Sequence, residues 1–386
     1  MRKILCAFYF ILISSPTMAQ DLVPSPPQIN AAAYILVDAH SGAVLAEHNA
    51  DMPLPPASLT KMMTAYVLAA EVEAGRINAD DMVTVSENAW SQNPIFEGSS
   101  LMWIEPGMDV RVEDLERGIV ISSGNDATVA IAEHIAGSEG VFTEMMNAQA
   151  QALGMEGSYF TNSHGLPDPD QVVTARDLTV LAGAMIRDFP EHYAMYKEPE
   201  FTYNDIKQYN RNSLLGEDPS VDGLKTGYTR EAGYCLVASA ERRGMRLISA
   251  VMGTSSAKAR KNETRSLLNY GFRFFETKEV FGPMHELEAP RIWKGQQDIL
   301  PVGLIDETVL TLPRGKSKNL VTTVALEPNL VAPIVEGDSV GTVTLSISGE
   351  TVFEAPAVAL QTVEPGGFFS RLWDTILMWV ASLFAT

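Results

Sequence analysis

The chain has 386 residues, 46% of them hydrophobic, and carries 28 basic against 48 acidic side chains for a net charge of −20. That apolar content suffices for two cored domains and excludes a disordered chain. The acidity argues against a nucleic-acid partner, because neutralising phosphates needs clustered Lys and Arg, and it reads as a soluble, self-repelling surface.

Met1-Arg2-Lys3, the apolar stretch Ile4 to Ser14 and Thr17-Met18-Ala19 before Gln20 give a basic start, an apolar run and a small-residue cleavage site, so residues 1–19 read as a secretory signal. The run is short for an uncleaved membrane anchor. Removing the signal leaves 26 basic against 48 acidic residues, a net charge of −22. It also removes Cys6 and leaves Cys235 alone within Tyr234 to Ala238. No intramolecular disulfide is then expected, and Cys235 reads as a small buried hydrophobe.

After Pro24, Pro26 and Pro27, the segments Ala33 to Asp38 and Ala43 to Glu47 flank His40-Ser41-Gly42 as a hairpin. The chain then reaches Pro53 to Ala57, and because Pro55 and Pro56 cannot continue a helix, one is expected to start just after them, at Ser58. Apolar spacing is mainly helical from Ala65 to about Gly183, strand-like from Tyr193 to Val251, and helical again from about Ala259 to Phe275. The fold class is therefore α+β, an antiparallel sheet flanked by helices. Beyond about Gly282, short strands such as Val309 to Leu312, Val321 to Leu326 and Val343 to Ile347 alternate with turns and predict a second, smaller all-β domain ending near Val363. Phe368 to Phe384 places apolar residues around most of a helix and Ser370, Arg371, Asp374 and Thr375 on the remaining stripe. Two charges within that length speak against crossing a bilayer. An amphipathic helix in the membrane interface, with Trp373 and Trp379 at its boundary, fits better; the alternative is a terminal helix docked on its own protein.

Three short motifs carry the chemistry. Ser58-Leu59-Thr60-Lys61 puts a hydroxyl and an amine on one helix face, and a lysine whose pKa is lowered by burial or by a second cation can take a serine's proton. The Ser58 backbone N–H, at a helix start, points where an oxyanion would develop. Ser123-Gly124-Asn125 lies between two helical runs and should project a hydroxyl and an amide from a tight turn. Lys225-Thr226-Gly227 occurs once and leads into a strand, where a cation, a hydroxyl and a closely approachable backbone suit a substrate carboxylate. Taken singly these are weak signals, since Ser-x-x-Lys occurs twice and Ser-x-Asn four times; order and context give them weight.

With those residues in view, the chain resembles the low-molecular-mass penicillin-binding proteins, serine-type D-Ala-D-Ala carboxypeptidases of the Ser-x-x-Lys, Ser-x-Asn, Lys-Thr-Gly superfamily that also includes the serine β-lactamases. The likeness extends through Pro56 to Thr64, Ser123 to Ala127, His164-Gly165-Leu166, Val221 to Gly227 and Gly271 to Glu276, and covers nearly the whole mature chain. It implies a β-lactamase/transpeptidase-like catalytic domain over 28–280, an all-β domain over 281–363 and a membrane-anchoring helix over 366–386. It further implies that Ser58 is acylated by the penultimate D-Ala carbonyl of a peptidoglycan stem pentapeptide, or by a β-lactam antibiotic, with Lys61 as base. Ser123 would relay the proton toward the leaving group, Asn125 would hold the substrate amide and Lys61, and Lys225 would shape the field. Thr226 and Arg260 would receive the terminal carboxylate beside Gly227, and the Tyr228 N–H would be the second oxyanion donor. Family members often have His where this chain has Tyr228, which bears on substrate choice. No metal or organic cofactor is implied. The resemblance places the protein outside the cytoplasm, on the periplasmic face of the bacterial inner membrane.

Rival readings are weaker. The Glu-x-x-Leu-Asn motif of class A β-lactamases is absent; Glu200 to Asn204 has Tyr203 in place of Leu. Gly337-Asp338-Ser339-Val340-Gly341 matches the Gly-x-Ser-x-Gly nucleophile elbow, but strand-like residues follow it and the last histidine is His285. The six histidines are scattered singly without His-Glu-x-x-His, which disfavours a metal hydrolase. A non-catalytic wall-binding scaffold is disfavoured by the intact Ser58, Lys61, Ser123, Asn125 and Lys225. Carboxypeptidase, endopeptidase and weak transpeptidase activities differ in acyl acceptor and cleft shape, which the sequence leaves open.

Overall fold

The computed structural model describes residues 23–382; the expected signal at 1–19 and Cys6 lie outside the described residues. Five strands form an antiparallel sheet: β1 (Ala33–Asp38), β2 (Val44–His48), β3 (Val221–Thr229), β4 (Gly233–Arg242) and β5 (Met245–Thr254), in the order β2-β1-β5-β4-β3. Both faces of its central strands are apolar because both are covered. Cys235, Val237, Ile248 and Ala250 point into the large helical core, whereas the alternate residues Leu236, Ala238, Leu247 and Val251 join a second core. Each fully buried Val, Leu or Ile contributes roughly 1.5–3 kcal/mol relative to exposure.

The helical side contains α1 (Lys61–Glu73), α2 (Asn125–Ala136), α3 (Glu139–Ala152) and α4 (Ala175–Asp188). Helix α1 is buried nearly all round, as expected of a helix packed within a core instead of on its surface. Helix α5 (Ala257–Phe274) covers the opposite face of the sheet. Three of these helices begin at hydroxyl caps: Ser138 accepts from the Val141 N–H, Thr174 from Asp177 and Ser256 from Ala259. The Cys235 thiol is wholly buried, its pKa pushed up to about 11 by that burial, as its packing role requires.

The chain leaves α5 along β6 (Phe275–Phe281), which pairs with β9 (Thr308–Pro313). The strands that follow in the all-β unit are β7 (His285–Glu288), β8 (Val302–Leu304), β10 (Leu320–Leu326), β11 (Ser339–Ile347) and β12 (Glu350–Ala359), forming a five-stranded sheet in the order β7-β8-β12-β11-β10. Leu310 and Leu312 of the β6–β9 ribbon pack on Leu345 of this sheet, giving the all-β unit two layers. Its other core gathers Ile292, Leu300, Val343 and Ala357. The two units are linked by hydrogen bonds from Thr277 to the buried Asp38 and between Ser41 and Thr311. Ser339 begins β11, so no helix follows Gly-Asp-Ser-Val-Gly and the nucleophile-elbow reading fails.

Helix α6 (Phe368–Ser382) corrects one detail of the sequence reading. Asp374, which helical periodicity places on the polar stripe, is buried; its carboxylate accepts from Arg291 at 3.1 Å and from the Lys294 backbone N–H at 2.6 Å. The helix is thus docked on the all-β unit through a carboxylate, while Phe368, Phe369, Trp373 and Trp379 are 62–83% exposed. Among the described residues no helix is long and apolar enough to cross a membrane.

Candidate active site

Pro55 and Pro56 do not lead directly into the α-helix expected at Ser58. A single 3₁₀ turn, Ala57–Thr60, comes first, and α1 begins at Lys61. In a 3₁₀ turn residues three apart lie directly over one another, and Lys61 Nζ sits 3.3 Å from Ser58 Oγ. The amine is fully buried. It donates to Asn125 Oδ1 at 2.6 Å and to the His164 carbonyl at 2.5 Å. Burial, reinforced by the Arg211 cation and opposed by the Asp126 carboxylate, brings the Lys61 pKa down to about 7. This proton inventory matters. Two carbonyl oxygens can only accept, so they consume both N–H groups of a neutral amine and leave its lone pair toward Ser58 Oγ.

The second motif is reached through a π-helical turn, Gly118–Ser122, a feature often found at functional sites. It delivers Ser123 in the left-handed region, at φ 63° and ψ 34°, a sparsely populated conformation for a residue with a side chain. Ser123 Oγ thereby meets the buried Lys225 Nζ at 2.9 Å, and Lys225 also donates to its neighbour's carbonyl at Thr226, 3.2 Å away. The Lys225 pKa lies well below the ordinary lysine value, first because the amine is buried and then because Lys61, Arg211 and Arg260 surround it with positive charge. Asn125 opens α2; its amide nitrogen donates to Ser99 Oγ at 2.8 Å.

The third motif lies on β3, the edge strand of the sheet, which packs against the Ser58 turn. Gly227 permits that approach, since a Cβ there would come within 3.0 Å of the Pro56 carbonyl oxygen. Gly165 does the same from the opposite wall: its φ is +88°, and a Cβ would stand 1.9 Å from the Ala57 oxygen. Arg260, in the first turn of α5, donates to the Gly227 and Cys235 carbonyls, both at 3.3 Å, with its guanidinium 5.8 Å from the Tyr234 ring centre. Tyr228 is 54% exposed, and its ring lies 4.2 Å from that of Tyr234.

Ser58, Ser123, Asn125, Thr226, Gly227, Tyr228 and Arg260 all line one cavity of about 400 Å³, with Lys61 and Lys225 buried and bonded to its serines. All nine residues singled out from the sequence are therefore brought together. Four further contributors had no role assigned from the sequence, although His164 and Asp126 lie in stretches that carry the resemblance. Arg211 and Ser99 line the cavity from segments without a motif. His164 supplies its carbonyl, and its ring pKa falls to about 3 through burial and the Lys61 charge, which keeps the imidazole neutral. Asp126 is buried and accepts from the backbone N–H groups of Met102, Trp103 and Ile104, tying the cleft wall to the Ser123 turn. Its position next to Asn125 was the one signal that could have revealed it. Among the described residues no group of three or more His, Cys, Asp or Glu is arranged to hold a metal ion.

Residues 20–256 match the family model "D-alanyl-D-alanine carboxypeptidase", and residues 275–365 match "Penicillin-binding protein 5, C-terminal domain". D-alanyl-D-alanine carboxypeptidase DacC of Escherichia coli (strain K12) is 44% identical over 100% of this chain and 98% of its own length. Among solved structures, penicillin binding protein 5 from Haemophilus influenzae superposes with a TM-score of 0.86 at 42% identity, over 88% of this chain and 99% of that one. Penicillin-binding protein D2 from Listeria monocytogenes, solved in an ampicillin-bound form, matches 64% of this chain and 100% of its own, with a TM-score of 0.57 at 32% identity.

Proposed function

The chain belongs to the D-alanyl-D-alanine carboxypeptidase family, serine-type peptidases that act on peptidoglycan peptides and bind β-lactams, and from that premise we propose how its own residues carry the reaction. Ser58 attacks the carbonyl of the penultimate D-Ala in a stem pentapeptide. Neutral Lys61, poised at 3.3 Å, takes the hydroxyl proton as the bond to carbon forms. The backbone N–H groups of Ser58 and Tyr228 face the developing oxyanion. Ser123, held at 2.9 Å by Lys225, passes a proton to the departing D-Ala amine, and water then releases the shortened peptide from Ser58. Arg260 and Thr226 take the terminal carboxylate, with Arg211 adding positive field from the rim. A β-lactam enters the same path and acylates Ser58 through its ring carbonyl.

The observation that carries this reading is the double juxtaposition of a buried lysine with a serine, Lys61 with Ser58 and Lys225 with Ser123, within one cleft. Incubation with a pentapeptide ending in D-Ala-D-Ala and mass analysis of the products tests it. Loss of one alanine is expected; an unchanged peptide would contradict it.

Residues 1–19 are proposed to be a signal that exports the chain, and α6 to hold it on the periplasmic face of the inner membrane. The support for the helix is its large exposed aromatic and aliphatic surface. Truncation at Glu364 should move activity to the soluble fraction with turnover intact, and a truncated form that still sediments with membranes would refute the anchor.

A further inference from the structure

Beside the catalytic cleft lies a second cavity of about 400 Å³, and Gly98 lines both. Its base is Phe96, wholly buried with its ring edge-on to His164, and its rim is Trp103, 46% exposed. Trp103 has φ +71°, a backbone conformation that bulky residues rarely adopt. The strain is fixed by Asp126, whose carboxylate holds the consecutive N–H groups of Met102, Trp103 and Ile104. The same wall is tied twice more to the catalytic turn, by the Asn125 N–H on the Ser100 carbonyl at 2.8 Å and by the Asn125 amide on Ser99 Oγ. A strained backbone so firmly determined points to a role for the side chain it displays. Around the indole stand Leu101 and two exposed polar residues, Gln92 and Glu97, whose side chains have no partner among the described residues.

We propose that this cavity is a saccharide subsite in which the indole of Trp103 stacks on the apolar face of a hexosamine ring of the glycan that bears the stem peptide. The proposal rests on the carboxypeptidase reading above. With the terminal carboxylate on Thr226 and Arg260, the acyl half of the substrate has to leave along another wall of the cleft, and the wall of Gly98 and Ser99 adjoins the second cavity through Gly98. An aromatic plate bordered by an amide and a carboxylate matches a sugar ring, which offers C–H groups on one face and hydroxyl and acetamido groups at its edge. The exposed Glu97 carboxylate can accept from the hydroxyl and acetamido N–H groups at the sugar's edge.

The test compares kcat/KM for a disaccharide-linked pentapeptide and for the same pentapeptide free of glycan. Wild-type enzyme is expected to prefer the glycan-linked substrate by about tenfold, the scale of one good aromatic contact. Trp103→Asn, which suits the left-handed backbone, should abolish that preference while leaving hydrolysis of the free peptide and penicillin acylation unchanged, and Trp103→Phe should restore most of it. Equal kcat/KM for both substrates in the wild type overturns the proposal without any variant having to fold. So does a Trp103→Asn loss that falls equally on both substrates. Failure of the wild type to cleave either peptide would instead overturn the carboxypeptidase reading.

Discussion

The catalytic cleft and helix α6 break the ordinary rule of protein interiors in opposite directions. In the cleft two lysines are buried, while on α6 aromatic side chains face outward. In each place the local structure shows how the violation is sustained. The lysines are tolerated because carbonyl and hydroxyl oxygens accept their hydrogens and because burial moves their pKa values toward the neutral form. The helix is held because a single buried carboxylate, Asp374, docks it against Arg291 and Lys294. One region takes two amines out of water and moves them toward the neutral form, and the other leaves apolar surface in water.

The largest expected effect lies in the cleft. Ser58→Ala should lower kcat by on the order of 10⁶-fold, the scale seen when a serine nucleophile is removed, and Lys61→Ala by roughly 10²–10⁴-fold, the scale of a lost general base. Steady-state kinetics with the pentapeptide measures both. A Lys61→Ala enzyme with near-normal acylation would show that the buried amine is only structural.

A pH profile sharpens the same point. Protonated Lys61 cannot accept the Ser58 proton, so acylation should rise about tenfold per pH unit below about pH 7 and level off above it. The Arg211 cation helps hold that pKa down; Arg211→Gln should therefore raise it and move the ascending limb to higher pH. A limb that stays in place would remove Arg211 from the electrostatics of the base. Arg260→Gln should weaken peptide turnover by about 10–100-fold through the lost charged hydrogen bonds. Part of that loss would come from the Gly227 and Cys235 carbonyls it now caps.

The helix side of the comparison should respond more mildly. Asp374→Ala removes one acceptor from Arg291 and Lys294 and should loosen α6 by about 1–3 kcal/mol, seen as faster proteolysis at the 364–368 junction with unchanged peptide hydrolysis. Reduced turnover in that variant would contradict the independence of the two regions.

Much of this was legible in the sequence because the motifs encode local geometry. Ser58 and Lys61 are three residues apart, the prolines before them set a start, and the apolar run Tyr234 to Ala238 read as strand; that both of its faces are covered is seen only in the fold. What escaped were features set by long-range contacts. The π turn and left-handed Ser123 depend on packing around Gly118, where a Cβ would fall 2.3 Å from Met102 Sδ. Arg211 reaches the cleft from a loop with no recurring pattern, and helical periodicity assigns Asp374 to a polar stripe without revealing that this stripe meets Arg291.

The account's central claim is that the chemistry begins at one hydroxyl, that of Ser58, activated by Lys61. Brief exposure to penicillin followed by peptide mapping tests it most directly. The account predicts a single penicilloyl adduct on the peptide carrying Ser58, absent from Ser58→Ala. An adduct on Ser123, or one that persists in Ser58→Ala, would contradict it.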